Sequence, residues 1–297
     1  MKRLIIYLVV TFGLTWGLQI PAGIALGTFQ NGESSSMVMI ALIAVSMFFP
    51  AVGALVANFS CKPEERIDLC VKPRISQNIR QYLVAWFLPA AIALVGCVVF
   101  FAVNPHLFDP TMTSFIEATA ASTGMSADEV LSQMPPMQVI VSGLTVSALV
   151  IAPFINAIPS FGEELGWRGM LFPPLSEHMS ERSAALLSGA IWGLWHAPVI
   201  AMGHNYGMGY AGFPVVGILT MILLCTAMGC WLALLRVRTQ SVWPCALAHG
   251  AFNAIANIGL FFCIGGATLF GPTPLGLLAG IPLMAVGVVS WLKLGRA

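Results

Sequence analysis

Three short stretches in the second half of the 297-residue chain carry side chains that could act on a carbonyl group. The first is Ser160-Phe-Gly-Glu-Glu-Leu-Gly-Trp-Arg-Gly169. Glu164 and Arg168 are four apart with the acid nearer the N-terminus, the favourable order for a helical ion pair. Glu163 lies about 100° further round such a helix and does not face that arginine. The two carboxylates can therefore differ, one neutralised and the other left free in apolar surroundings, as a general base requires. The plain alternative is a solvated turn. The second stretch is Ile191-Trp-Gly-Leu-Trp-His196-Ala-Pro198, which puts Trp192 one turn from His196, with Pro198 loosening the helix just beyond. A single histidine there could equally be a packing residue. The third is His249-Gly-Ala-Phe-Asn253, with Asn257 a further turn on. Residues at i, i+4 and i+8 share a helix face and form a polar stripe, which could also serve only to hold helices together. Taken jointly, a carboxylate, two imidazoles and amide donors are what peptide hydrolysis needs: a base for water and donors for the tetrahedral oxyanion. No Ser-His-Asp arrangement competes for the role.

The elements that must position these groups are membrane helices. The chain is 58% hydrophobic and 8% charged, against about 25% charged residues in a soluble domain. Eight segments are apolar enough to span: 4–27, 37–58, 82–103, 138–160, 183–203, 214–235, 244–264 and 275–292. The composition predicts an all-α, polytopic membrane helix bundle over 1–297, a single membrane domain with the chemistry-bearing core at about 140–265. Lys2 and Arg3 precede an apolar run too long for a signal-peptide core, so 4–27 reads as an uncleaved first helix. In the longest loop, 104–137, residues 127–133 read as a short surface helix capped by Ser126.

Alternating the loops across the membrane puts all 13 Lys and Arg on one side. The opposite loops, about 28–36, 104–137, 204–213 and 265–274, contain none, but do contain Glu33, Asp109, Glu117, Asp128 and Glu129. By the positive-inside rule both termini are expected in the cytoplasm and 104–137 outside. The net charge of +1 gives no basic patch for nucleic acid. Seven Cys without a CxxC pair suggest apolar filler in packed helices. Gly13/Gly17 and Gly189/Gly193 have the spacing for close helix packing, the second pair bringing the His196 helix against a neighbour.

Three motifs, Glu163-Glu164-x-x-x-Arg168, Trp192-x-x-x-His196 and His249-x-x-x-Asn253, resemble those of the CPBP intramembrane peptidases, the Abi or CAAX prenyl protease 2-like family. The resemblance covers about 140–265, the first three helices adding only topology. It implies a metal-independent glutamic endopeptidase in which Glu163 and His196 activate water, His249 and Asn253 form the oxyanion hole, and Glu164 and Arg168 organise the site. No cofactor is implied. The partners expected are the lipid bilayer and a protein or peptide substrate at or in the membrane, and the chain itself is expected to be a multi-pass protein of the plasma membrane.

Two other classes fit some of the same residues. Glu163, His196 and His249 would make an acceptable catalytic zinc set, although no His-Glu-x-x-His sequence is present. A non-catalytic scaffold or immunity protein, or a transporter with helices broken at Pro153, Pro159 and Pro198, is the third option. The peptidase reading places acid, imidazoles and amide in one wet cavity opening toward the cytosol, with His178 and His204 left as loop residues.

Overall fold

A computed structural model describes residues 2–32 and 37–295; Glu33 and Arg296 of the charge pattern lie outside the described residues. The fold is all-α. Among the described residues only two isolated bridges, Phe108–Cys263 and Thr268–Gly271, pair extended backbone. The main helices are α1 (Lys2–Ala25), α2 (Met37–Phe59), α3 (Ile79–Val103), α4 (Gln138–His178), α5 (Glu181–Trp195), α6 (Val215–Thr239), α7 (Trp243–Ile255) and α8 (Ile281–Lys293). With its short 3₁₀ continuation to Phe262, α7 joins α1, α2, α3, α4 and α6 as six stretches long and apolar enough to cross a bilayer. The segments expected at 183–203 and 275–292 hold the shorter α5 and α8. This is a polytopic helical bundle.

Their starts follow local chemistry. The Ser180 hydroxyl accepts the Ser183 amide and opens α5, whereas α7 and α8 open on Trp243-Pro244 and Ile281-Pro282, where proline's missing N–H costs nothing. The 127–133 helix forms with Ser126 and Glu129 in a reciprocal capping box. A second helix in that loop, Thr113–Thr123, was hidden by its mixed pattern of small and polar residues.

Two expectations about α4 need correction. It does not end near 160 but continues to His178, so Glu163 and Glu164 sit in mid-helix instead of at a helix end. The helix survives its prolines through wide π turns at Ser147–Ile151 and Leu165–Leu171, placed ahead of Pro153 and Pro173. A proline ring strikes the carbonyl four residues back, here Leu149 and Gly169, and both lie in those widened turns. The Trp86 indole donates to the Leu149 carbonyl at 2.6 Å, replacing a lost ladder bond.

α6 and α7 form the interior: 67% and 61% of their spanning windows are buried, against 28% for α1 and α2. Close approach there depends on glycine. A Cβ on Gly189 would lie 2.6 Å from Thr226 Cα of α6, and one on Gly193 would lie 2.9 Å from the Ile222 nitrogen. On Gly250 of α7 it would meet the Ala157 nitrogen of α4 at 2.5 Å. Gly13 and Gly17 are different: among the described residues nothing lies within 4 Å of a Cβ added at either, so that pair packs against no described helix of this chain.

The two ends of the bundle are each tied together. At one end Arg3 donates to the Glu65 carbonyl, Val242 N donates to Cys70 O at 3.0 Å, and Arg182 donates to Leu292 and Leu294 carbonyls at 2.9 and 3.0 Å. The described basic residues outside the bundle interior gather at this basic end. At the other, Asp109 N donates to Phe262 O and Ile264 N to Leu107 O, both at 2.9 Å, and Tyr206 Oη donates to Leu275 O at 2.9 Å. That end carries Asp109, Glu117, Asp128 and Glu129 and no lysine or arginine among the described residues. Arg168 belongs to neither end, being wholly buried in mid-bundle.

Candidate active site

The Glu-Glu pair is no solvated turn. Glu163 is 2% exposed, and Glu164 and Arg168 are fully buried. Each carboxylate has its own partners. Glu164 Oε1 accepts from Arg168 at 3.1 Å and from His249 Nδ1 at 3.0 Å. Such a buried acid needs both: a lone charge in hydrocarbon would be costly, and pairing with hydrogen bonds offsets that cost. Glu163 turns the other way, and its Oε2 accepts two indole N–H groups, Trp192 at 2.8 Å and Trp167 at 3.3 Å. Its Oε1 makes no hydrogen bond to the protein.

The aromatic groups link the two acids. Arg168 stacks its guanidinium 4.5 Å from the Trp192 ring centre, and Gly229 of α6 lets that helix come within 3.1 Å of Arg168 Nη2, measured from the position of an added Cβ. Trp192 also meets the His249 ring edge-to-face at 5.2 Å. Trp167 packs on Tyr7 of α1 at 5.8 Å, where a Cβ on Gly166 would lie 2.6 Å from the tyrosine oxygen.

His196 stands where α5 stops. Its backbone N–H bonds Gly193 O at 3.2 Å, three residues back, which leaves the Trp192 carbonyl without its helical donor. The imidazole takes that place, with Nδ1 3.0 Å from the Trp192 oxygen. A carbonyl only accepts, so Nδ1 carries the proton and Nε2 is left with a free lone pair. His249 likewise spends Nδ1, here on Glu164, and keeps Nε2 for other use. Asn253, one turn further along α7, is exposed, and its amide makes no bond to the protein.

Glu163, His196, His249, Asn253 and Asn257 all line one cavity of about 250 Å³. The structure thus brings together side chains from α4, α5 and α7, while Glu164 and Arg168 lie behind the wall. Among the described residues no three His, Cys, Asp or Glu side chains are grouped to hold a metal ion. Two features differ from expectation. First, α1 and α2 contribute Gln19, Ile43 and Met47 to the lining, and Thr15 Oγ1 holds the Trp195 indole at 2.8 Å, so the early helices build the site as well as the topology. Second, the cavity runs toward the acidic end, not the basic one. His204 and Asn205 of the α5–α6 connection and Leu275 of the α7–α8 connection complete it. His204 is therefore a cavity residue, not a remote loop one.

The residues that sequence reasoning missed are Trp167 and Gln19. Both were legible: Trp167 as a donor one turn from Glu163, and Gln19 as the last of Thr11, Thr15 and Gln19, whose four-residue spacing marks the buried face of α1.

Residues 144–255 match the family described as type II CAAX prenyl endopeptidase, Rce1-like. A 53-residue stretch is 40% identical to the CAAX prenyl protease 2 of Methanococcus maripaludis, covering 18% of this chain and 20% of that protein. The chain thus matches about a fifth of the length of this curated relative. The resemblance expected from the three motifs is borne out over that region, which contains all of them.

Proposed function

We propose that this chain, whose residues 144–255 match the Rce1-like type II CAAX prenyl endopeptidase family, is an intramembrane endopeptidase of the plasma membrane that hydrolyses a peptide bond of a membrane-associated protein or peptide without a metal ion. The observation that carries this reading is Glu163: a buried carboxylate with one oxygen fixed by two indoles and the other unengaged on a cavity wall.

Water held between Glu163 Oε1 and His196 Nε2 gives a proton to this pair as its oxygen bonds to the substrate carbonyl carbon. The carbonyl oxygen becomes an oxyanion, which Asn253 Nδ2–H and, when His249 carries both protons, His249 Nε2–H stabilise by hydrogen bonds. Glu164 keeps the His249 ring oriented and balances its charge, and Arg168 balances Glu164. Collapse of the tetrahedral adduct breaks the C–N bond, and the stored proton passes to the leaving nitrogen, giving one acid and one amine.

The direct test is quantitative proteomics on membranes carrying wild-type chain or Glu163→Ala, backed by assays of the purified protein in lipid discs. A peptide whose processing stops with Glu163→Ala and continues under strict chelation supports the proposal. An unchanged peptide pattern with a folded variant would overturn it in favour of a scaffold, and loss of processing on chelation would favour the zinc reading.

A further inference from the structure

The way into the site carries an inference about the substrate. Near the basic end the site is sealed: Glu164, Arg168, Trp167 and Met170 are all fully buried below Glu163. Glu163 lies fifteen residues before His178, about 22 Å up α4 from its basic end. Toward the acidic end the wall is polar and open. Asn253 on α7 and Asn257 just past its end are both exposed, and two uncovered amides facing hydrocarbon would be costly, so they border water. Asn257 also lines a second cavity of about 560 Å³, built by Ser114 and Glu117 of the 104–137 segment and by Gly265 and Gly266. The inner and outer cavities therefore share a wall residue.

We propose that the site is fed through this acidic-end vestibule, and that its substrate is an extracytoplasmic peptide or the extracytoplasmic part of a membrane protein. Two independent observations meet here. The cavity sequence runs from Glu163 past Asn257 to Ser114 and Glu117, and that end carries no lysine or arginine among the described residues, the mark of the outer face. A cytoplasmic tail would have to pass the sealed layer of Trp167 and Arg168. The substrate assignment rests on the endopeptidase reading; the access route does not.

The test is therefore made on access first. Ser114→Cys and Asn257→Cys chains, with Ser60→Cys on the exposed basic end as the opposite marker, are treated with a membrane-impermeant maleimide in intact bacterial cells and in inverted vesicles, and the modified cysteine is located by mass spectrometry. The expected result is modification of positions 114 and 257 in cells faster than in inverted vesicles by more than about tenfold, with position 60 showing the reverse, because the bilayer blocks the charged reagent. Labelling of position 257 only in inverted vesicles, or from neither side, overturns the proposal, as does labelling of position 60 in intact cells. Processing of the peptide found in the Glu163→Ala comparison is then followed after external alkylation of Asn257→Cys. Labelling from outside with processing absent even in untreated wild-type chain would leave the route standing and sink the peptidase reading.

Discussion

Trp192 donates its indole N–H to Glu163 Oε2 at 2.8 Å while its ring face lies 4.5 Å from the guanidinium carbon of Arg168. One side chain thus touches both the free acid and the cation that neutralises the second acid. The pair of carboxylates in mid-membrane is kept distinct by this wall: Glu164 is paired, and Glu163 is oriented but not neutralised.

Replacing that donor should slow turnover without unfolding the chain. Trp192→Phe removes a hydrogen bond to a charged group, worth about 1.5–3 kcal/mol, or roughly ten- to a hundredfold in rate. Trp167→Phe, with the longer 3.3 Å bond, should cost less. Steady-state kinetics on the two variants check the order, and equal losses would contradict the geometry.

Arg168 is predicted to be chiefly a stability residue. Arg168→Met strands Glu164 in the core and should destabilise by about 3–5 kcal/mol. Adding Glu164→Gln should recover much of that loss, since the stranded charge disappears with it. Thermal unfolding in detergent of the two single variants and the double variant measures the coupling; simple additivity would refute it.

Asn253 should behave in the opposite way. Its exposed amide makes no bond to the protein, so Asn253→Ala should change stability by less than about 0.5 kcal/mol. Loss of an oxyanion donor should nevertheless lower kcat by about 10²–10³-fold. A variant that unfolds in step with its loss of activity would assign Asn253 to packing instead.

The two glycine pairs should separate cleanly. Gly193→Ala places a methyl 2.9 Å from the Ile222 nitrogen and 3.0 Å from the Met221 carbonyl oxygen, an overpacking that should cost about 1–3 kcal/mol. Gly13→Ala meets nothing within 4 Å and should be neutral or stabilise α1 by up to about 1 kcal/mol. Paired melting curves decide the matter.

At the acidic end, Asp109 accepts from the Thr111 hydroxyl and from the backbone N–H groups of Thr111 and Thr113 at 2.8 and 2.7 Å. These bonds, the Thr111 hydroxyl first, hold its carboxyl down at about 2 from an ordinary value of 3.8. A depressed acid contributes stability that is complete above its unfolded value and fades as pH falls through the folded one. Hydrogen exchange of the Thr111 and Thr113 amides should therefore stay protected at about pH 4 and lose protection near pH 2. Asp109→Asn should weaken it already at neutral pH.

Much of the site was legible because it is written in residue types that membranes tolerate poorly. Glu163, Glu164, His196, His249 and Asn253 stand out against apolar helices, and their spacing gave the Glu164–Arg168 pair. The position of Glu163 along α4 was not legible, since four prolines (Pro153, Pro159, Pro173 and Pro174) and a Gly-rich run look like a helix end; only the π turns reveal that the helix goes on. The direction of the cavity was hidden for another reason. The stripe Thr11, Thr15 and Gln19 shows which face of α1 turns inward, but a buried face does not say toward which end of the bundle the space beside it opens.

The wide turn at Leu165–Leu171 also makes the site sensitive to the pitch of a single turn. It holds one residue more than an α-helical turn, so Glu163 above it and the Phe172–His178 segment below it are out of the phase that a regular helix of the same length would impose. Were the turn to tighten into ordinary α-helix with no residue lost, one half would swing about 100° against the other. Glu163 would then leave the cavity wall, or Phe172–His178 would leave its packing. The pitch of this one turn sets where the acid points.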